Sequence, residues 1–356
     1  MATDSAAPAS PFRSLNSPGF AGLLESLGIT LLVSTYQAGK LMAIRGREGR
    51  VSTLLRSFER PMGLAVQGSR QFALGTRNQV LLYRNAADIA AQLPPAGTHD
   101  GCFLPRLAHV TGDIRCHEMA WGPASVATSA SGLWIVNTFF SCLCTLSPEY
   151  SFVPTWHPPF LQGPAPGDHC HLNGLALAEG KPAYVTALGE TITPEGWRPT
   201  KTSGGVLIDV PRNAILSRNL SMPHSPRVHM CRVWLLESGT GQLQTVAPET
   251  GQRTVVAELP GFARGLAFAG PYAFIGLSKI RESNMFGDLP ITKKGITLQC
   301  GIWVVDVRNG AIAQFMQFEA GVEEIFAVEV LAGLRFPEIV GFQEDTIQGA
   351  FVIPPR

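Results

Sequence analysis

The residues best equipped for chemistry recur at one place in a repeated sequence word. The word reads Met62-Gly63-Leu64-Ala65-Val66, His117-Glu118-Met119-Ala120-Trp121, Asn173-Gly174-Leu175-Ala176-Leu177 and Arg264-Gly265-Leu266-Ala267-Phe268. Weaker copies are His224-Ser225-Pro226-Arg227-Val228 and Glu323-Glu324-Ile325-Phe326-Ala327. A position shared by structural repeats is normally apolar or small. Here the first position carries Met62, His117, Asn173, His224, Arg264 and Glu323, and all but Met62 are polar or ionisable. His171 stands two residues before Asn173, on the same face of an extended strand, and His169 two earlier again.

Two kinds of chemistry fit such a set. In the first, His117, His171 and His224 hold a divalent transition metal (Zn, Fe, Mn or Cu), Asn173 or Glu323 assists, and an open position activates a water. In the second, no metal is needed. One histidine, His117 or His224, acts as general base, another orients a small polar substrate, and Arg264 pairs with an anionic group. Glu190, in Leu188-Gly189-Glu190-Thr191 after a strand, is a further acid, base or ligand candidate. The plain alternative is that these side chains cap strand ends and hydrogen-bond one another across a wet channel. An enzyme acting on a small polar molecule, a metal-dependent hydrolase or oxidoreductase, is the reading taken forward. The rival is a non-catalytic scaffold that binds a protein partner or a ligand.

Other motifs carry less. Ser238-Gly239-Thr240-Gly241 opens no helix and reads as a hairpin turn rather than a phosphate cradle. No G-x-S-x-G surrounds Ser225, so it is not a hydrolase elbow. The stretch from Lys279 to Lys294 is a polar insertion, suited to a lid or to a loop that meets a protein partner.

The elements that must position these residues follow from the repeat itself. The words begin at 62, 117, 173, 224, 264 and 323, spacings of roughly 40 to 60 residues, which fit four-stranded propeller blades with loop insertions. Each word is followed by further β-branched or aromatic runs, such as Leu133-Trp134-Ile135-Val136-Asn137 and Ile302-Trp303-Val304-Val305-Asp306, bounded by Gly, Pro or polar residues. Near-continuous apolar runs imply strands covered on both faces, as stacked blades provide. Thr30–Thr35 and Lys40–Ile44 look like second and third strands lacking a first, while the last word lacks strands after it. Pairing the N-terminal strands into the last blade supplies both. The chain is therefore expected to be all-β, a six-bladed β-propeller closed in that way. Residues 21–356 form one domain behind a flexible leader at 1–20. The first strand of each blade lines the axis, so the polar ring would gather at one mouth.

Bulk composition agrees. Charged residues are only 15%, Gly and Pro number 37 and 27, and 45% of residues are hydrophobic, which suits many short strands and a sizeable core. A net charge of +1 with dispersed Arg argues against nucleic acid and acidic membranes. No run of about 18 apolar residues marks a membrane span. The N-terminal residues have no basic region followed by an apolar stretch, which argues against a secretory signal. Seven cysteines without a paired C-x-x-C read as reduced thiols in a cytoplasmic protein.

Four stretches resemble a bacterial family of conserved hypothetical proteins known as a domain of unknown function. They are Leu32-Val33-Ser34-Thr35-Tyr36-Gln37-Ala38-Gly39-Lys40, Cys170-His171-Leu172-Asn173-Gly174-Leu175-Ala176, Met222-Pro223-His224-Ser225-Pro226-Arg227 and Ser238-Gly239-Thr240-Gly241. The resemblance spans residues 25 to 342 and implies no activity. More distantly, the word at 173–176 is similar to repeats of gluconolactonase and strictosidine synthase-like propellers. That similarity implies a divalent ion at the axis and hydrolysis of lactones or esters. Only Asn173 and Glu323 match those ligands, and the histidines favour a softer metal than calcium.

Overall fold

The computed structural model describes residues 12–122, 132–279, 287–342 and 345–353. Its strands form six sheets, each a blade of four antiparallel strands, and two blades gain a fifth. The innermost strands are Leu64–Gln67, Cys116–Trp121, Leu172–Ala178, Pro223–His229, Phe262–Ala269 and Ala327–Ala332, taken here as blades one to six. Every repeated word lies on or beside one of them, including the two weak copies.

Closure follows the expected pairing. The inner strand of blade six comes from the C-terminal half and pairs antiparallel with Ile29–Thr35, so that Val328 faces Val33. Lys40–Arg47 and Arg50–Ser57 complete that blade. Ile29–Thr35 is buried along its whole length, which is why its sequence (ITLLVST) has no polar–apolar alternation. Between blades, large side chains interdigitate. Phe72 stacks on Tyr83 at 4.6 Å between ring centroids, packed beside Leu32, Leu41 and Phe103.

Both ends of the chain clasp the closing blade. Arg13–Asn16 adds a fifth strand to blade five, and Glu338–Ile339 pairs in parallel with Cys102–Val110 on blade one. Arg56, on the outer strand of blade six, donates to the Ile339 carbonyl and forms a 2.6 Å ion pair with Glu338. A helix over Phe20–Leu27 lies against blade six with Phe20 and Leu24 fully buried. There Gly46 is required, because a Cβ would stand 2.4 Å from the Ala21 carbonyl oxygen. The segment expected as a leader is thus structured from Arg13 onward, because Arg13–Asn16 pairs with the outer strand of blade five and Phe20 packs beneath it. Residues 1–11 lie outside the described residues.

In blades two to five the inner strand carries a β-bulge at its mouth end. The paired register skips His117 and Glu118, then Asn173, then Ser225 and Pro226, then Arg264 and Gly265. A bulge re-aims the side chains around it and is common beside functional sites. In blades two, three and five it turns the repeated position away from strict in–out alternation, while in blade four the bulge falls one residue later and His224 pairs with Leu236. Among the described residues no helix is long and apolar enough to cross a membrane.

Candidate functional site

The mouth of the channel opens into a pocket of about 510 Å³, a size typical of small-molecule sites. Four of the six ring positions line it: Met62, His117, His224 and Arg264. His171 joins them from blade three. The His117 ring centroid is 5.5 Å from that of His171 and 5.5 Å from that of His224, so the three imidazoles meet across the axis.

The hydrogen bonds assign the tautomers. The Arg264 guanidinium can only donate, and its Nη2 lies 2.8 Å from His117 Nε2. His117 therefore accepts at Nε2 and holds its proton on Nδ1, facing the Asn173 backbone. His224 Nδ1 lies 3.0 Å from the Met222 carbonyl and 2.9 Å from Ser238 Oγ. A carbonyl can only accept, so this nitrogen carries the proton and Nε2 is left with a free lone pair. His171 Nδ1 lies 2.8 Å from Asp168 Oδ2, which also receives Arg115 at 2.9 Å. Its proton is likewise on Nδ1, and its Nε2 has no protein partner among the described residues.

Burial and the Arg264 charge set the electrostatics. Burial, followed by the repulsion of Arg264, holds both His117 and His224 well below the ordinary histidine range, so both are neutral. Burial pulls Arg264 down to about 10, which still leaves it a cation at neutral pH. Its guanidinium lies flat on Phe326, 3.5 Å from the ring centroid, and its Nε has no hydrogen-bond partner. Burial raises the Glu324 carboxyl against the pull of Arg264, and Glu324 accepts from the Gln37 amide at 3.0 Å.

Two ring positions fall elsewhere. Asn173 is turned into the protein, where its amide accepts from Thr186 at 2.6 Å and donates to the Pro223 carbonyl at 3.0 Å. Glu323 is exposed, and Phe326 occupies the sixth ring position. The backbone makes the equivalence plain. Phe326 N donates to Ser34 O as Met62 N donates to Gly75 O, both at 2.8 Å. The copy in blade six is therefore Phe326-Ala327-Val328, three residues later than expected. No sequence signal separates the two registers, because Ile325 is as apolar as Val328 in the third place of the word. Glu190 is also outside the pocket. It is exposed and pairs with Arg218 at 3.1 Å, while Leu188 and Trp197 take the wall beside it.

These positions bear on the expected metal. The His117 Nε2 is occupied by a guanidinium, Asn173 is spent on structural bonds and Glu323 points away. Among the described residues no three His, Cys, Asp or Glu side chains are arranged to hold an ion. The residues present do not fit a three-histidine metal centre. The gluconolactonase-like expectation rested on Asn173 and Glu323, and neither reaches the pocket.

Nucleophiles near the site are silent. Ser238 Oγ donates to the Ala263 carbonyl and Thr138 Oγ1 to the Leu172 carbonyl. Burial pushes the Cys116 and Cys170 thiols up to about 12, so neither forms a thiolate at neutral pH. The residues that sequence reasoning missed are Asp168, Trp197, Glu324 and Phe326. Asp168 stands three residues before His171, a spacing with no meaning on a strand, and the two meet only because both adopt positive φ in the loop that enters blade three.

One turn deeper on the same strands lies a second polar cluster. Arg227 makes an ion pair with Glu118 and another with Glu329 at 3.3 Å, and Glu118 also accepts from the Leu175 amide at 3.0 Å. Burial raises the Glu118 carboxyl, and it pushes Glu329 up to about 7 against the pull of Arg227.

The expected partner loop is anchored where it is described. Leu289 and Ile291 are fully buried against Leu188, Trp197 and Met222, and Asp288 pairs with Lys201 at 3.1 Å. Residues 280–286 of that insertion lie outside the described residues.

Comparison with solved structures returns the fold. A chain in the crystal structure of a nidogen/laminin complex aligns with a TM-score of 0.54 and 9% identity, covering 86% of this chain and 99% of that one. A protein of unknown function from Bacteroides caccae aligns with a TM-score of 0.47 and 11% identity, covering 85% of this chain and 98% of that one. No curated protein matches the chain. The family described as a domain of unknown function, DUF4915, matches residues 18–340, and the chain belongs to it.

Proposed function

We propose that this propeller is an enzyme that admits a small anionic molecule to the mouth of its channel and removes a proton from it. The observation that carries this reading is the Asp168–His171 pair. Asp168 is 1% exposed, holds Nδ1–H of His171 at 2.8 Å and so leaves the basic Nε2 unpartnered beside the pocket. A buried carboxylate of this kind orients the imidazole and stabilises the imidazolium once a proton has been taken. Arg264, whose guanidinium lines the pocket and keeps its charge, supplies the charge-assisted donor for the anionic group. His224 offers a second lone pair, suited to a substrate hydroxyl. Proton transfer is the chemistry for which the paired Asp168 and His171 are placed.

The test is solvent exchange. Small 2-oxo and 2-hydroxy acids incubated in D2O with the protein should incorporate deuterium, read by proton NMR. His171→Ala should abolish the exchange while a bound carboxylate is still detected. A carboxylate that saturates the wild type with neither exchange nor turnover would make the pocket a binding site only.

A further inference from the structure

The pocket is divided into two arcs, and the division specifies its occupant. Going round the axis, blades three, four and five contribute Leu188, Trp197, Met222 and Phe262 to one side. Leu289 and Ile291, both fully buried, back this side, so it is a built wall and not a loose flap. The other side, from the edge of blade five through blades six, one and two, carries Lys279, Arg60 and Arg115 beside Phe326, Met62 and Tyr36. Arg264 reaches across the floor to His117 between them. His171 stands where the arcs meet, its ring 4.5 Å from that of Trp197 and its Nδ1 on Asp168.

The charges on the polar side nearly cancel. Arg60 pairs with Asp113 at 3.2 Å and Arg115 with Asp168 at 2.9 Å, and on the apolar side Arg198, stacked on Trp197, pairs with Glu195 at 2.9 Å. Arg264 and Lys279 remain without an ion pair among the described residues, facing the single carboxyl of Glu324. Among the described residues, with Glu324 ionised, one positive charge is left over, which suits a ligand with one negative charge.

We infer that the ligand is a planar aromatic monocarboxylate. Its ring lies along Trp197, Leu188, Met222 and Phe262, and its carboxylate meets Arg264 and Lys279. The inference rests on the anion-binding reading above and adds to it the apolar body and the single charge. Burying an aromatic ring against such a wall adds about ten- to a hundred-fold to affinity over the bare anion.

Calorimetric titration of the wild type with acetate, benzoate, benzyl alcohol and phthalate tests it. Benzoate should bind at least about tenfold tighter than acetate, and tighter than the uncharged alcohol or the dianionic phthalate. Trp197→Ala should reduce the ratio of benzoate to acetate affinity. Acetate bound as tightly as benzoate would overturn the aromatic body and leave the anion site standing. Phthalate bound more tightly than benzoate would overturn the single charge. No binding by any carboxylate would overturn this inference and the anion-binding reading together.

Discussion

Two polar layers are built on the inner strands, and they differ in what they leave open. The deeper layer is closed on itself, with Arg227 held between Glu118 and Glu329 and a cavity of only about 10 Å³ beside them, no larger than one water. The mouth layer is as thoroughly buried at His117 (6% exposed) and His224 (3%), yet among the described residues His171 and His224 bond through Nδ1 alone and the Arg264 Nε has no partner. Burial alone therefore does not mark a site. An unfilled set of donors and acceptors beside a cavity does, because a buried polar group without a partner costs free energy that a ligand can return.

The comparison breaks most visibly at Arg227. Arg227→Ala would leave two carboxylates buried without their cation, and should cost about 3–5 kcal/mol in urea unfolding at pH 8. The loss should shrink at pH 5, where both carboxyls can protonate. An effect of the same size at both pH values would mean that the pairing is not what the residue supplies. Arg264→Gln is the matching change in the mouth layer. It should weaken benzoate about ten- to a hundred-fold by calorimetry, because a charge-assisted hydrogen bond is lost. Unfolding should move by about 1 kcal/mol or less, since no carboxylate depends on that guanidinium for an ion pair.

Glu329 sharpens the contrast through pH. Its carboxyl is raised to about 7 in the folded protein, so the native state holds a proton that the unfolded chain has released. Its stabilising share is present below the ordinary glutamate range and is lost as pH rises through about 7. Urea midpoints measured from pH 5 to pH 8 should therefore fall in the wild type relative to those of Glu329→Gln, the difference opening as pH rises through about 7; parallel profiles would remove the assignment. The smallest effect concerns metal. Plasma mass spectrometry of the untagged wild type, His171→Ala and His224→Ala should find no stoichiometric transition metal in any of them. Metal near one equivalent in the wild type, lost in both variants, would restore the three-histidine centre.

The blade count, the closure and the mouth position of His117, His171, His224 and Arg264 were legible in the sequence because blades repeat and their inner strands share one word. What was not legible came from breaks in that regularity. Phe326 was hidden because the sixth word drifts, and its acidic neighbours Glu323 and Glu324 drew the register three residues early. Asn173 holds the ring position in name, yet the bulge turns it into the protein and brings His171 forward instead. Asp168 and Trp197 sit on irregular connections, where no period relates a residue to the site it serves. Glu190 follows a strand that does reach the mouth, but its side chain leaves the pocket towards Arg218.

The most direct measurement of the difference between the two layers is a nitrogen NMR spectrum of protein labelled with 15N-histidine, at neutral pH, with and without benzoate. His117, His171 and His224, assigned through single His→Asn variants, should all carry their ring proton on Nδ1. Saturating benzoate should shift the Nε2 signals of His171 and His224. Signals that stay in place under saturating benzoate, or a proton found on His224 Nε2 in the free protein, would contradict an open, anion-accepting mouth.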